Sequence, residues 1–349
     1  MQKLTTIAVD TAKNVFEIVI DSKPKRQRLR LSREQFRSFI SNHETARFVM
    51  EACGGAHHWA RMMAERGHEV RMLPAPYVRP YRRRSKTDHA DCLAMLEADK
   101  NTDILSVPIK PLDAQALQGL HRIRSGWMAT RTARINALRG HLREFGIALP
   151  EGIKRARSMF AESIDDSAVP QTIKPALVLL LDEINHLESQ IDTIERQLAT
   201  IAKQNTSAKR LMDVPGIGLL TATALLASAG SAGSASYFRS GRHMASWIGL
   251  TPREHSSGSK RTLGGISKRG DPYLRMLLIH GARSLLRAAS QRLKSGRPLD
   301  RLQRWAMQLQ ERTTHNKAAC AVANKMARIA WACWVQETCY AREPSPAAA

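Results

Sequence analysis

The sequence predicts an α/β amino-terminal domain followed by a longer all-α region. Three observations predict it. The first hundred residues alternate short β-branched runs with helical stretches. After Pro111 the strand signal stops. Between residues 176 and 203 a Leu/Ile heptad takes over.

Taken in order, LTTIAVD and NVFEIVI read as strands, and KRQRLRL as a third, basic one. Asn14 and Pro24 punctuate them. SREQFRSFISN is a helix opened by Ser32 and Gln35, spaced as a capping box. ARFVMEA is a strand, HHWARMMAERG a helix ended by Gly67, and HEVRMLP a strand. A last helix begins near Asp88. Three strands joined by short turns, then crossovers, imply a mixed sheet covered by helices.

Residues 112–146 read as a basic helix, broken at Pro150 and Gly152. Leu177, Leu180, Ile184, Leu187, Ile191, Ile194, Leu198 and Ile201 step by threes and fours, the seam of a coiled coil. The two long helices either pair as a hairpin or offer the seam to a second subunit. VPGIG before TATALLA reads as a helix-hairpin-helix turn, with Gly216 and Gly218 letting backbone N–H groups meet phosphate. A plain packing joint is the alternative. Residues 249–271 form a Gly/Ser/basic loop region, and helices run from Tyr273 to about Tyr340. The expected divisions are 1–110, 111–205 and 206–342, with 343–349 a disordered tail.

Lys plus Arg number 54 against 31 acids, a formal net charge of +23. Such an excess implies a polyanionic partner, most commonly nucleic acid. No run of about 18 uncharged apolar residues occurs, and no signal peptide opens the chain, so a cytoplasmic protein without a membrane partner is expected. The five cysteines form no CxxC pair and no zinc-like cluster. They are expected to be incidental thiols.

Four carboxylates stand out against this charge. Asp10 and Glu51 close strand-like runs, and Asp88 and Asp91 share one face at the head of a helix. Carboxylates gathered inside a basic protein point to Mg²⁺ facing a phosphate backbone. Two such ions about 4 Å apart clamp the attacking and leaving oxygens of a phosphoryl transfer. Singly, Asp88 reads as an N-cap and Asp10 as a turn residue. Glu97, Asp99 and Asp103 read as solvated acids, and His57, His58 and His89 as surface or core residues. Beside the acidic helix, Arg79, Arg82, Arg83, Arg84 and Lys86 form a cluster suited to the nucleic-acid backbone.

The D…E…KTDxxD pattern on this element order resembles the ribonuclease-H-like (RuvC-like) domain of a transposase family. VPGIGLLTATALLA and SWIGLTPREHSSGSKRTLGGISKRGDPYLRMLLIHGARSLL resemble the second domain of insertion-sequence-110-type transposases, with the HSSGSK form similar to the 1111 subgroup. The resemblance spans Asp10 to about Leu285. It implies a Mg²⁺-dependent DNA transposase whose DEDD tetrad is Asp10, Glu51, Asp88 and Asp91. It also implies a serine nucleophile, for which Ser256 and Ser257 are both candidates. It further implies donor and target DNA as partners, a structured noncoding guide RNA, a dimer or tetramer, and association with the nucleoid when bound.

A serine that attacks a phosphodiester stores the bond energy in a phosphoserine link, so rejoining needs no ATP. Its hydroxyl needs a base or metal to become nucleophilic. Gly258, Gly264 and Gly265 let backbone approach phosphate, and Lys260, Arg261, Lys268, Arg269 and Arg275 can neutralise it. Two rivals share the composition. A Holliday-junction nuclease using water needs no serine. A non-enzymatic nucleic-acid scaffold needs no acids. His280 and Arg283 echo the HxxR of tyrosine recombinases, without the other spaced residues.

Overall fold

The computed structural model describes residues 4–22, 25–83, 86–150, 152–229 and 237–341. Arg84 and the tail 343–349 therefore lie outside the described residues. The chain forms two compact units, residues 1–110 and 111–349.

The first unit follows the expected order. Strands β1 (Thr6–Thr11), β2 (Val15–Asp21) and β3 (Gln27–Ser32) are followed by α1 (Arg33–Asn42), β4 (Arg47–Glu51), α2 (Ala56–Glu65) and β5 (Glu69–Leu73). A short helix α3 (Ala75–Val78), not foreseen, runs into a 3-10 turn before α4 (Asp88–Asp99). The sheet order is β3-β2-β1-β4-β5. β1–β2 and β2–β3 are antiparallel, whereas β1–β4 and β4–β5 are parallel.

Strand periodicity sorts the side chains onto two faces. Ile7, Val9, Phe16, Ile18, Phe48 and Met50 bury against α1 and α2, where Phe16, Phe36 and Trp59 pack ring to ring. Ala8, Val19 and Val49 face α4, meeting Cys92, Met95 and Leu96. The capping box at α1 is present: Gln35 N donates to Ser32 Oγ at 3.3 Å, and Ser32 N donates to Gln35 Oε1 at 2.8 Å. Asp99 is not solvated as expected. Arg47 donates to it at 3.0 Å and Arg71 at 2.9 Å, which ties the end of α4 to β4 and β5.

In the second unit, α5 (Leu112–Glu144), α6 (Ile153–Asp165) and α7 (Lys174–Gln204) come first. α5 and α7 pair with each other. Ion pairs join 124 to 195, 131 to 188 and 134 to 183, a descending order that makes the pair antiparallel. The heptad seam is thus used within the chain. Its far end buries Ile135, Leu138, Phe160 and Ile184; its base, with Leu117, Ile194 and Leu198, shares a core with the helices that follow.

Those helices are α8 (Thr206–Met212), α9 (Leu219–Ala229), α10 (Gly241–Trp247), α11 (Pro272–Lys294), α12 (Arg301–Arg312) and α13 (His315–Val335). The region is not purely helical. β6 (Pro252–Glu254) and β7 (Leu263–Ile266) form an antiparallel hairpin where a loop was expected. Two glycines fix its base. Gly249 and Gly270 have φ of +82° and +81°, and a Cβ on either would lie 2.0 Å from Arg269 O or 1.8 Å from Trp247 O. The long exposed Gly/Ser content hides the strands, because both hairpin faces are largely solvated.

Candidate active site

The first unit gathers acids on the α4 face of its sheet. Asp10 is two residues beyond Ala8 and Glu51 two beyond Val49, so both point to the side α4 covers. The parallel register Val9↔Met50 makes Asp10 and Glu51 the next residues along neighbouring strands. Asp88 and Asp91 occupy the first turn of α4. Asp88 is not the cap: Thr87 is, its Oγ1 accepting from Ala90 N at 3.2 Å. The aspartate is left free to face its neighbours.

These groups act on one another electrostatically. The Asp10 pKa is raised to about 6, first by burial, then by Asp88, Asp91, Glu51 and Glu17. Glu51 is also raised, by burial and by Asp91, while Arg82 and Lys86 oppose the shift. Arg82 Nη1 donates to Asp91 Oδ1 at 3.0 Å. Arg79, Arg83 and Lys86 are exposed.

Glu17 is a fifth acid that the sequence pattern did not single out. It stands opposite Asp10 across the antiparallel β1–β2 pair and is 3% exposed. Arg28 pairs with it, and His89 Nδ1 lies 3.9 Å from Oε1. An acid inside the apolar run VFEIVI was the available signal.

Among the described residues, no three His, Cys, Asp or Glu side chains form a group that could hold a metal ion as they stand. The acids are neighbours on one face, and Asp91 is held by Arg82 rather than by a shared centre. The donor set nevertheless fits Mg²⁺. It is all hard carboxylate oxygen, and its mutual repulsion, visible at Asp10, is what a divalent cation relieves.

The two candidate serines lie in the second unit, between β6 and β7. Ser256 Oγ donates to Glu254 Oε1 at 2.8 Å, and Arg261 Nε donates to the same oxygen at 3.0 Å. Arg261 and Ser256 together hold Glu254 below the usual carboxylate range. Ser257 is placed by its backbone, which exchanges hydrogen bonds with Lys260 at 3.1 and 3.2 Å. Gly258, Lys260, Lys268 and Arg269 are exposed around them. Two expected phosphate contacts have structural employment. Arg275 Nη1 donates to Ile248 O at 2.9 Å and Arg269 O at 3.1 Å. Gly216 packs on α11 and α13, where a Cβ would lie 2.8 Å from Gly281 O and 2.7 Å from Met326 Cε. Gly218 is exposed just before α9. The HxxR echo has no support in its surroundings, since Arg283 Nη2 donates to Asn316 Oδ1 at 3.0 Å.

The class of the protein is DNA transposase, an enzyme that cleaves and rejoins strands, and it is shown by the family matches and relatives of the chain. Residues 208–296 match the Transposase IS116/IS110/IS902 family, and residues 7–147 match the transposase family of the IS110 DEDD type. A probable family 20 transposase of Pseudomonas aeruginosa is 40% identical over 97% of this chain and 98% of its own length. The transposase for insertion sequence element IS1111A of Coxiella burnetii is 36% identical over 97% of this chain and 92% of its own. That for IS1328 of Yersinia enterocolitica is 36% identical over 98% and 100%. The chain belongs to the IS110/IS116/IS902 family of insertion-sequence transposases. Among the described residues, no helix is long and apolar enough to cross a membrane.

Proposed function

We propose that the first unit is a ribonuclease-H-like domain whose Asp10, Glu51, Asp88 and Asp91 bind Mg²⁺, and that a serine of the β6–β7 hairpin is the nucleophile of strand transfer. One observation carries the metal reading: Asp10 and Glu51 end neighbouring strands on the face that α4 covers, and Asp88 and Asp91 stand in the first turn of that helix. The sheet order, three antiparallel strands continued by a parallel pair, supports the fold assignment. When bound, Mg²⁺ stabilises negative charge growing on the phosphate. Arg82 and Lys86 hold cationic charge at the rim, where Arg79 and Arg83 extend it toward the DNA backbone.

Ser256 is favoured over Ser257 because its hydroxyl already donates to a carboxylate. In the proposed step the Ser256 Oγ–phosphorus bond forms and one phosphodiester P–O bond breaks. The serine proton passes to Glu254, which releases it to water, and the departing strand oxygen takes up a proton from water. Reversal by a second strand's hydroxyl rejoins DNA without an external energy source. Exposed Lys260, Lys268 and Arg269 lie beside the hairpin to receive phosphate.

By family resemblance, a structured noncoding RNA guides the enzyme, and a dimer or tetramer is the working form. RNA retained through a high-salt purification, and the mass in solution, test these two readings. The central test incubates protein with its element's end DNA and Mg²⁺, denatures, and maps the linked residue by mass spectrometry. Phosphoserine at 256, lost in Ser256→Ala and kept in Ser257→Ala, is expected. Cleavage with no phosphoserine at either position would leave water as nucleophile and overturn the proposal.

A further inference from the structure

A groove of about 1880 Å³ opens in the second unit between the β6–β7 hairpin, the start of α10 and one face of α13. It is larger than the roughly 300–1,000 Å³ of small-molecule pockets. Its lining holds Arg242, Arg253, Lys268, Lys317, Lys325 and Arg328, and no Asp or Glu. Among the described residues, the ion pairs of this unit run through Arg124, Arg131, Arg134, Arg210 and Arg261, and through none of those six. Among the described residues, this positive charge is therefore not neutralised by an ion pair.

The arrangement is ordered as well as basic. Lys317, Ala321, Asn324, Arg328 and Trp331 recur at three- and four-residue steps, one stripe along α13. Trp305 of α12 and Trp331 are half-buried in the lining. The Lys325 ammonium lies 3.8 Å from the Trp305 ring centroid. Burial, Arg301 and Arg328 all disfavour its charge, so this corner crowds cations together. Leu250, Leu263 and Ile266 give the groove an apolar side.

Cations without counter-charges fit phosphates. Indole rings and aliphatic side chains within the same groove fit base faces, which a strand offers only when it is unpaired. A duplex keeps its bases stacked and would use the cations alone. We propose that this groove binds a single-stranded nucleic-acid segment, with phosphates on Arg242, Lys317 and Arg328 and bases against Trp305 and Trp331. The proposal deepens the strand-transfer reading but rests on neither the acidic site nor the serine.

The test uses full-length protein in EDTA, so no cleavage chemistry enters the readout. Fluorescein-labelled oligo-dT, oligo-rU and a duplex are titrated by anisotropy across a salt series, with tryptophan emission followed in parallel. Single strands are expected to quench tryptophan, and the tighter of dT and rU identifies DNA or RNA as the source. In the double variant Lys317→Gln/Arg328→Gln the log–log salt slope is expected to flatten by about 1.4, or 0.7 for each single-strand phosphate that no longer meets a cation. Trp305→Leu is expected to weaken single-strand binding about ten-fold and duplex binding little. Single-strand affinity and salt slope unchanged in the double variant would overturn the proposal. Crosslinking of wild-type protein to 4-thiothymidine oligonucleotides avoids any folding defect of the variants. Adducts within residues 240–268 or 301–335 support the groove, and adducts confined to other regions refute it.

Discussion

His121 is a buried base whose protonation should destabilise the second unit. It is 3% exposed on α5 and joins three helices. Thr223 Oγ1 donates to Leu219 O at 2.7 Å, so it accepts from His121 Nε2 at 3.0 Å. That leaves Nδ1 to accept from Tyr273 OH at 3.1 Å. Both ring nitrogens are satisfied in the neutral form. Burial, and then Arg124, depress the pKa from 6.5 to about 4. A histidine with a lowered folded pKa binds its proton more readily when unfolded. Its contribution is therefore intact above pH 6.5 and is lost as pH falls toward 4. At 1.36 kcal/mol per pKa unit, the 2.5-unit gap makes the loss about 3 kcal/mol by pH 4. Urea unfolding followed by tryptophan fluorescence reads the correct unit, since Trp59 is the sole tryptophan of the first. His121→Gln removes the titration and should be less stable than wild type at pH 7. The difference should shrink by about 3 kcal/mol between pH 7 and pH 4. A difference that stays constant across that range would refute the reasoning.

Other expectations concern the supports of the two candidate sites. Gly270→Ala places a methyl against Trp247 O at positive φ, so a loss of roughly 1–3 kcal/mol is expected, read as a lower melting temperature of the second unit. Asp99→Asn removes the charge that Arg47 and Arg71 share in a half-buried pocket, and should cost the first unit about 3 kcal/mol in urea unfolding. Thr87→Ala removes the α4 cap at a cost of about 1 kcal/mol, and amide exchange should quicken over residues 88–92 with little change elsewhere. Asp10→Asn should abolish Mg²⁺-dependent strand cleavage on element-end DNA while leaving far-UV circular dichroism unchanged. Residual cleavage near the wild-type rate would remove Asp10 from the chemistry.

The first unit was legible because its signals are local. The alternation of Ile7, Val9 and their neighbours marks a strand whatever lies beyond, and the Ser32/Gln35 spacing marks a helix start by itself. The features missed depend on distant partners. Glu17 reads as a stray acid until β2 pairs with β1 and Arg28 comes across from β3. Asp99 reads as solvated until two arginines converge on it from other strands. The β6–β7 hairpin buries neither face, so no periodicity announces it; the close approach of Gly249 and Gly270 to facing backbone defines its base. The heptad seam was visible, but its partner was not. The chain order of arginines on α5 and glutamates on α7 settles the pairing, and that order has meaning only once the helices run antiparallel.

The two units divide charge in a way that composition alone conceals. A net +23 averages over a face where Asp10, Glu17, Glu51, Asp88 and Asp91 crowd together and a groove where six cations meet no acid among the described residues. A polyanion is repelled by the first and drawn by the second, so affinity and chemistry must come from different residues. Salt should then weaken binding steeply through the groove and the exposed arginines, because counterions compete there. The acid cluster should respond to divalent cations far more than to monovalent salt, because its repulsion is short-ranged and partly buried. Removing an acid should therefore slow cleavage without weakening DNA binding, and removing a groove cation should do the opposite. A single substitution that abolished both by the same factor, in a folded protein, would show that the two functions share one surface.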